Sequence, residues 1–163
     1  MSIILKIARS LRLVSDEATI VVCGLDNSGK SSILNRLKTA NKPTAFEATP
    51  TVGYQEETFR NNNIKFAAFD MSGQSRYRNL WESYLGDADA ILFVVDSSDR
   101  LRVVVAKEEL DNLIAHPDFK ANPEIPILIF ANKIDVDGAL SSDECSRALE
   151  LDRITDHPIH IVS

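Results

Sequence analysis

The sequence predicts a doubly wound α/β domain whose sheet is mostly parallel with one antiparallel hairpin strand. The near-continuous apolar runs Ala18–Cys23, Ala90–Val95 and Ile125–Ala131 suit parallel strands covered on both faces. Helical periodicities fall between them. Polar or glycine-bearing segments follow directly on the runs, where such a sheet places its ligands.

Each element is justified in chain order. Residues 1–15 carry Lys6, Arg9 and Arg12 and no acid. Ile3, Ile4, Ile7, Ala8, Leu11 and Val14 share one helical face, with Lys6, Arg9, Ser10 and Arg12 mostly opposite. Residues 1–16 therefore read as an amphipathic segment suited to an anionic membrane surface. The main domain reads as 17–163. It starts with the strand Ala18–Cys23, followed by a helix over Lys30–Lys38. Gln55–Arg60 and Ile64–Asp70 flank Asn61-Asn62-Asn63 and predict a hairpin. Helices follow at Asn79–Leu85 and Leu101–Ala115. In the second of these, Val103, Ala106, Leu110, Leu113 and Ile114 repeat at three and four residues and predict one buried face. Ser141 and Glu144 predict a capping box for a helix over Ser142–Leu149. His157–Val162 reads as a last core strand. A domain of this type would cover it with another helix, so the domain is expected to be C-terminally incomplete and to lack that helix.

Composition narrows the function. The chain has 163 residues, 44% hydrophobic and 26% charged, enough for one domain with a sizeable core. A net charge of -6 argues against broad nucleic-acid binding. Two cysteines, Cys23 and Cys145, give no disulfide framework. No apolar stretch is long enough to span a bilayer, and no secretory signal is evident.

The segment Gly24-Leu25-Asp26-Asn27-Ser28-Gly29-Lys30-Ser31 fits G-x-x-x-x-G-K-[ST] between a strand and a helix. Gly24 allows a sharp turn off the strand, and Gly29 allows close approach of the backbone to phosphates. Successive N–H groups and the helix N-terminus then face the anion. Lys30 reaches the β and γ oxygens, and Ser31 offers a hydroxyl to Mg²⁺. Ser32 follows as a further candidate at the helix start.

Asn132-Lys133-Ile134-Asp135 follows the run Ile125–Ala131 and so stands at a strand's C-terminal end. Guanine presents two adjacent N–H donors that one carboxylate, Asp135, can accept together. Adenine offers no such pair and would leave a buried carboxylate unpaired. Asn132 can hold the other side of the base, and the Lys133 stem can lie along its ring.

Asp70-Met71-Ser72-Gly73-Gln74 follows the hairpin. Asp70 would hold Mg²⁺, the Gly73 N–H would meet a γ-phosphate, and Gln74 would orient the attacking water. Thr51 could give its hydroxyl to Mg²⁺ only while a γ-phosphate is present, which would make its loop a switch. Thr49 competes for that role. The candidate catalytic residues are thus Gln74, Lys30 and Gly73. The expected ligands are GTP or GDP with Mg²⁺. A phosphate-loop kinase or ATPase is the rival reading, against which Asp135 argues.

In this order the motifs resemble the small GTPases of the Ras superfamily, and more closely the Arf family. Gly24-Leu25-Asp26 follows the Arf pattern, where Ras-like members carry Gly at the position of Asp26. Pro50-Thr51-Val52-Gly53, Leu80-Trp81 and Phe93-Val94-Val95-Asp96-Ser97 also fit. Phe69-Asp70-Met71-Ser72-Gly73-Gln74 departs from the usual Arf Trp-Asp-x-Gly-Gly-Gln. With Arg76–Trp81, Asp96–Arg102 and Ala106–Asp111, it resembles a ciliary branch of the family.

That resemblance implies a GTP-gated switch that recruits a coat or effector complex (BBSome-like) to membranes at the cilium base. It implies an exchange factor, a GTPase-activating protein and a cytoplasmic, peripheral-membrane location. It also implies an N-terminal helix that leaves its pocket as the hairpin shifts register. No Arg lies in Pro43–Pro50 to serve as a built-in arginine finger, so intrinsic turnover is expected to be slow. Three departures stand out. Ser2 removes the N-myristoylation signal. Ser72 replaces a Gly beside the catalytic turn. The sequence stops at Ser163, before the family's last base-contacting loop and final helix, so a shortened chain with weakened nucleotide binding is expected.

Overall fold

The computed structural model describes residues 17–38, 51–61, 64–77 and 79–163. The first strand, β1 (Glu17–Cys23), leads through the phosphate-loop segment into α1 (Lys30–Lys38). β2 (Tyr54–Asn61) and β3 (Ile64–Met71) form the hairpin, followed by a 3₁₀ turn at Ser75–Tyr77 and α2 (Asn79–Leu85). β4 (Ala90–Asp96), α3 (Arg100–Ala115), the short α4 (Pro117–Lys120) and β5 (Ile127–Asn132) come next. α5 (Ser142–Ala148), a 3₁₀ turn at Leu151–Arg153 and β6 (Ile159–Val162) complete the described chain. The predicted amphipathic segment over 1–16, Thr49, the stretch Pro43–Pro50, Asn62, Asn63 and Arg78 lie outside the described residues.

The sheet order is β2-β3-β1-β4-β5-β6, and only β2 and β3 pair antiparallel. The predicted architecture is therefore the observed one. β1 and β2 start one residue earlier than expected, while β5 and β6 start two residues later than Ile125 and His157, and proline explains the later starts. Pro126 and Pro158 have no N–H to give to a ladder. Each lends only its carbonyl, to Ile91 and Ile127 respectively, so β5 and β6 start at the residue after the proline, Ile127 and Ile159.

Strand alternation divides the core in two. Val21, Cys23, Ile91, Phe93, Ile127 and Ile129 pack with Trp81, Leu85, Val103, Leu110 and Phe119 on one face. Ala18, Ile20, Val22, Leu92, Val94 and Leu128 pack with Ile33 and Leu34 of α1 on the other. The α3 stripe is buried as predicted at Val103, Ala106, Leu110 and Leu113, while Ile114 is partly buried against the same cluster.

Register brings the functional segments to one edge. Val22 lies beside Asp70, Cys23 beside Phe93, and Asp96 beside Asn132. The C-terminal ends of β1, β3, β4 and β5 thus open on the same side. β1 is where the chain order reverses, so the loop after it faces a crevice.

Candidate functional site

The phosphate-loop segment wraps the end of β1. Gly29 has φ 96°, and a Cβ there would lie 2.2 Å from the Asn132 side-chain amide. Only glycine fits, both for the backbone angle and for the close approach. The same Asn132 amide donates to the Ser28 carbonyl at 2.8 Å. It therefore ties the phosphate loop to the Asn132–Asp135 segment.

Lys30 opens α1 and is buried, with 6% exposure, and its Nζ donates to the Leu25 carbonyl at 2.8 Å. Burial pulls its ammonium below the usual lysine range, and Asp70 works against that fall.

Ser31, Thr51 and Asp70 converge. Ser31 Oγ donates to Asp70 Oδ2 and lies 3.1 Å from Thr51 Oγ1; Thr51 Oγ1 donates to the same carboxylate oxygen at 3.5 Å. Asp70 is 1% exposed, and its other oxygen, Oδ1, is buried with no hydrogen-bond partner. Burial is the largest influence and raises its pKa. Two hydroxyls beside an under-satisfied buried carboxylate form a hard oxygen set, which fits Mg²⁺.

Gly73 packs directly on the phosphate loop: a Cβ there would lie 2.1 Å from the Asp26 backbone nitrogen. Ser72 before it is fully buried. Its N–H donates to the Gly53 carbonyl at 2.9 Å, and its own carbonyl accepts the Trp81 indole N–H at 3.1 Å. The Gln74 side-chain oxygen accepts two N–H groups of Arg76, at 3.1 and 3.0 Å. Arg76 reads from sequence as a surface or partner contact; here it engages the candidate catalytic glutamine.

On the other side, Lys133 adopts φ 61° and its Nζ pairs with Asp96 Oδ2 at 2.7 Å. Burial acts to raise the Asp96 pKa, but Lys133 and Ser98 outweigh it and hold the carboxyl below its usual range. Asp135 is exposed. Desolvation of its carboxylate is therefore a consequence of covering it with a base, not a property of the segment alone.

A cavity of about 460 Å³ joins these parts. Asp26, Asn27, Gly29, Lys30, Ser31, Ser32, Thr51, Gly73, Gln74, Asn132 and Lys133, all expected from sequence, line it together with Ser72. Gly24, Leu25, Ser28 and Asp70 stand behind it, and Asp135 lies outside the lining. Sequence reasoning gave no site role to Ser98 or Arg102, and it read Asp96 with Asp99 as solvated turn carboxylates, whereas Asp96 is paired with Lys133. Asp96 ends a strand on the ligand side, and Arg102 sits in the next helical turn; that placement was the available signal.

The sequence profile of the ADP-ribosylation factor family matches residues 4–163. This chain belongs to that family. ADP-ribosylation factor-like protein 6 of Danio rerio is 51% identical over 156 residues, covering 96% of this chain and 83% of the relative. The protein of the same name in Caenorhabditis elegans is 46% identical over 135 residues, covering 83% and 70%. The solved Arl6 BBS3 small GTPase of Trypanosoma brucei, bound to the nucleotide analogue GppNp, is 42% identical. It superposes with a TM-score of 0.80 over 89% of this chain and 84% of that one. The Arf-family GTPases bind guanine nucleotide and hydrolyse GTP, and the chain is a GTPase of this kind. Among the described residues, no helix is long and apolar enough to cross a membrane.

Proposed function

We propose that the chain is a Mg²⁺-dependent switch that recruits a BBSome-like coat or effector complex to membranes for ciliary trafficking while GTP is bound. Its kinship with ADP-ribosylation factor-like protein 6 supports the cellular setting. The observation that carries the mechanism is the convergence of Ser31, Thr51 and Asp70 at one cavity. Thr51 lies three residues before β2, so engagement at the phosphates is felt at the start of the hairpin. Beside it, Val52 and Tyr54 are exposed, and Tyr54, Phe69 and Tyr84 form one aromatic cluster. An apolar surface next to a phosphate-sensing threonine is suited to effector binding gated by the γ-phosphate.

The reaction is in-line attack of water on the γ-phosphate, giving GDP and phosphate. Ser31, Thr51 and Asp70 would hold Mg²⁺, which neutralises phosphate charge when bound. Lys30 and the loop N–H groups stabilise the transferring phosphoryl. Gly73 offers its N–H to the γ-phosphate, and Gln74 orients the water. Asn132, Lys133 and Asp135 read guanine. The hold of Arg76 on Gln74 favours a companion reading in which unaided hydrolysis is negligible and an activating protein supplies the rate. An exchange factor would reload the switch. Residues 1–16, taken as a unit separate from 17–163, would act as a reversible membrane-contacting helix.

Titration calorimetry of the nucleotide-freed chain with GDP, a non-hydrolysable GTP analogue and ATP, each with Mg²⁺, tests the site. Tight binding of both guanine ligands and none of ATP is expected; equal binding of ATP would overturn the guanine assignment. Capture of BBSome subunits by the analogue-loaded form alone tests the gating.

A further inference from the structure

Asp26 and Arg102 form an ion pair on the phosphate loop, with Arg102 Nη2 2.6 Å from Asp26 Oδ1. Arg102 belongs to none of the nucleotide-binding motifs, and topology explains its presence. β4 ends at Asp96 on the ligand side of the sheet, and α3 starts at Arg100. Asp99 caps that helix by accepting the Arg102 N–H at 3.1 Å, which fixes the Arg102 backbone. Long side chains on a helix lean toward its N-terminus, so the guanidinium reaches back over the loop. A void of about 10 Å³ bordered by Leu25, Val94 and Ala106 lies against the pair.

Asp26 is on the wall of the nucleotide cavity, and its backbone nitrogen meets Gly73. It therefore marks the point where the loop touches the turn assigned to the γ-phosphate. A bare carboxylate there would oppose a triphosphate more than a diphosphate, because the extra charge sits at that end. Lys30 feels both members of the pair. Burial lowers its pKa most; Asp26 counters that fall and Arg102 adds to it. The two side chains are 51% and 31% exposed, so the pair adds little to folding stability. Its consequence is the charge presented to the ligand.

We propose that Arg102 is a positioning and specificity residue that restrains and balances the Asp26 carboxylate, and so sets the preference of the site for GTP over GDP. This rests on the guanine-nucleotide reading of the cavity.

The test is calorimetric affinity for GDP and for a non-hydrolysable GTP analogue, with Mg²⁺, on the full nucleotide-freed chain. Arg102→Ala is expected to weaken the analogue about tenfold relative to GDP, equivalent to about 1.4 kcal/mol. Arg102→Lys keeps most of the wild-type ratio, and adding Asp26→Asn to Arg102→Ala restores it. Asp26→Asn alone, with the cation intact, raises the ratio; this variant carries the test if Arg102→Ala does not fold. Equal weakening of both ligands by Arg102→Ala, no restoration by Asp26→Asn, or an unchanged ratio in the single Asp26→Asn variant would overturn the inference alone. A wild-type chain that bound neither ligand would overturn the guanine-nucleotide reading as well.

Discussion

The proposed role of Gln74 as the water-orienting side chain is open to a direct test. The Gln74 amide oxygen, the atom that would accept a proton of the attacking water, is occupied by two N–H groups of Arg76. Releasing it costs about one hydrogen bond, about 1 kcal/mol net. Arg76→Ala should therefore raise intrinsic single-turnover GTP hydrolysis about fivefold without weakening GDP binding. Gln74→Leu should slow it, and Arg76→Ala should add nothing in that background. Phosphate release from pre-loaded protein measures both; a gain from Arg76→Ala that persists in Gln74→Leu would show that Arg76 acts elsewhere. Asp70 makes a second case. Its folded pKa is raised above the unfolded carboxylate value, chiefly by burial. The folded chain then binds the proton more tightly, so this contribution to stability is present at low pH and is lost as pH rises through the folded pKa. In metal-free buffer, Asp70→Asn should remove that loss and melt higher than wild type near neutral pH, with the gap closing toward pH 3.8. A gap that widened on acidification would contradict the sign.

At the scale of elements, legibility followed locality. β1, β4 and β5 were legible because both of their faces are largely buried and nearly every residue had to be apolar; β4 is buried from Ala90 to Val95. Their ends were less legible, because a proline can look apolar yet fail to join a ladder, as Pro126 and Pro158 do. α4 has four residues, too few for a helical period, and is started by a His116 cap and a proline. The contiguous site motifs were readable, while their braces were not. Arg102 lies 76 residues from Asp26 and Lys133 lies 37 from Asp96, distances that no local pattern encodes. The capping box at α5 was local and is formed on both sides: Ser141 N–H to Glu144 at 2.8 Å and Glu144 N–H to Ser141 Oγ at 3.2 Å. Ser141→Ala should cost about 1 kcal/mol in urea unfolding, with an unchanged denaturant slope. The nucleotide site should be spared, because no residue of α5 lines the cavity.

The whole molecule is a sheet whose strand ends are tied to one another across the cavity. Asn132 binds the Ser28 carbonyl, Ser97 binds the Asn132 carbonyl, Lys133 binds Asp96, and Ser31 binds Asp70. These links join the loops after β1, β3, β4 and β5, so a ligand that bridges them stabilises the folded state as a unit. A ligand at a thousand times its Kd adds about 4 kcal/mol. For a domain of this size each kcal/mol moves Tm by about 2–4 °C, so saturating GDP with Mg²⁺ should raise it by about 8–16 °C. ATP at the same concentration should leave Tm near that of the free chain, because it offers Asp135 no paired donors and leaves a covered carboxylate unsatisfied. Asp135→Ala should remove most of the GDP shift and bring it toward the ATP value, with the free-chain Tm little changed because Asp135 is exposed. A GDP shift that survived Asp135→Ala would move base recognition to other residues; an ATP shift equal to that of GDP would leave only the phosphate loop as the binding determinant.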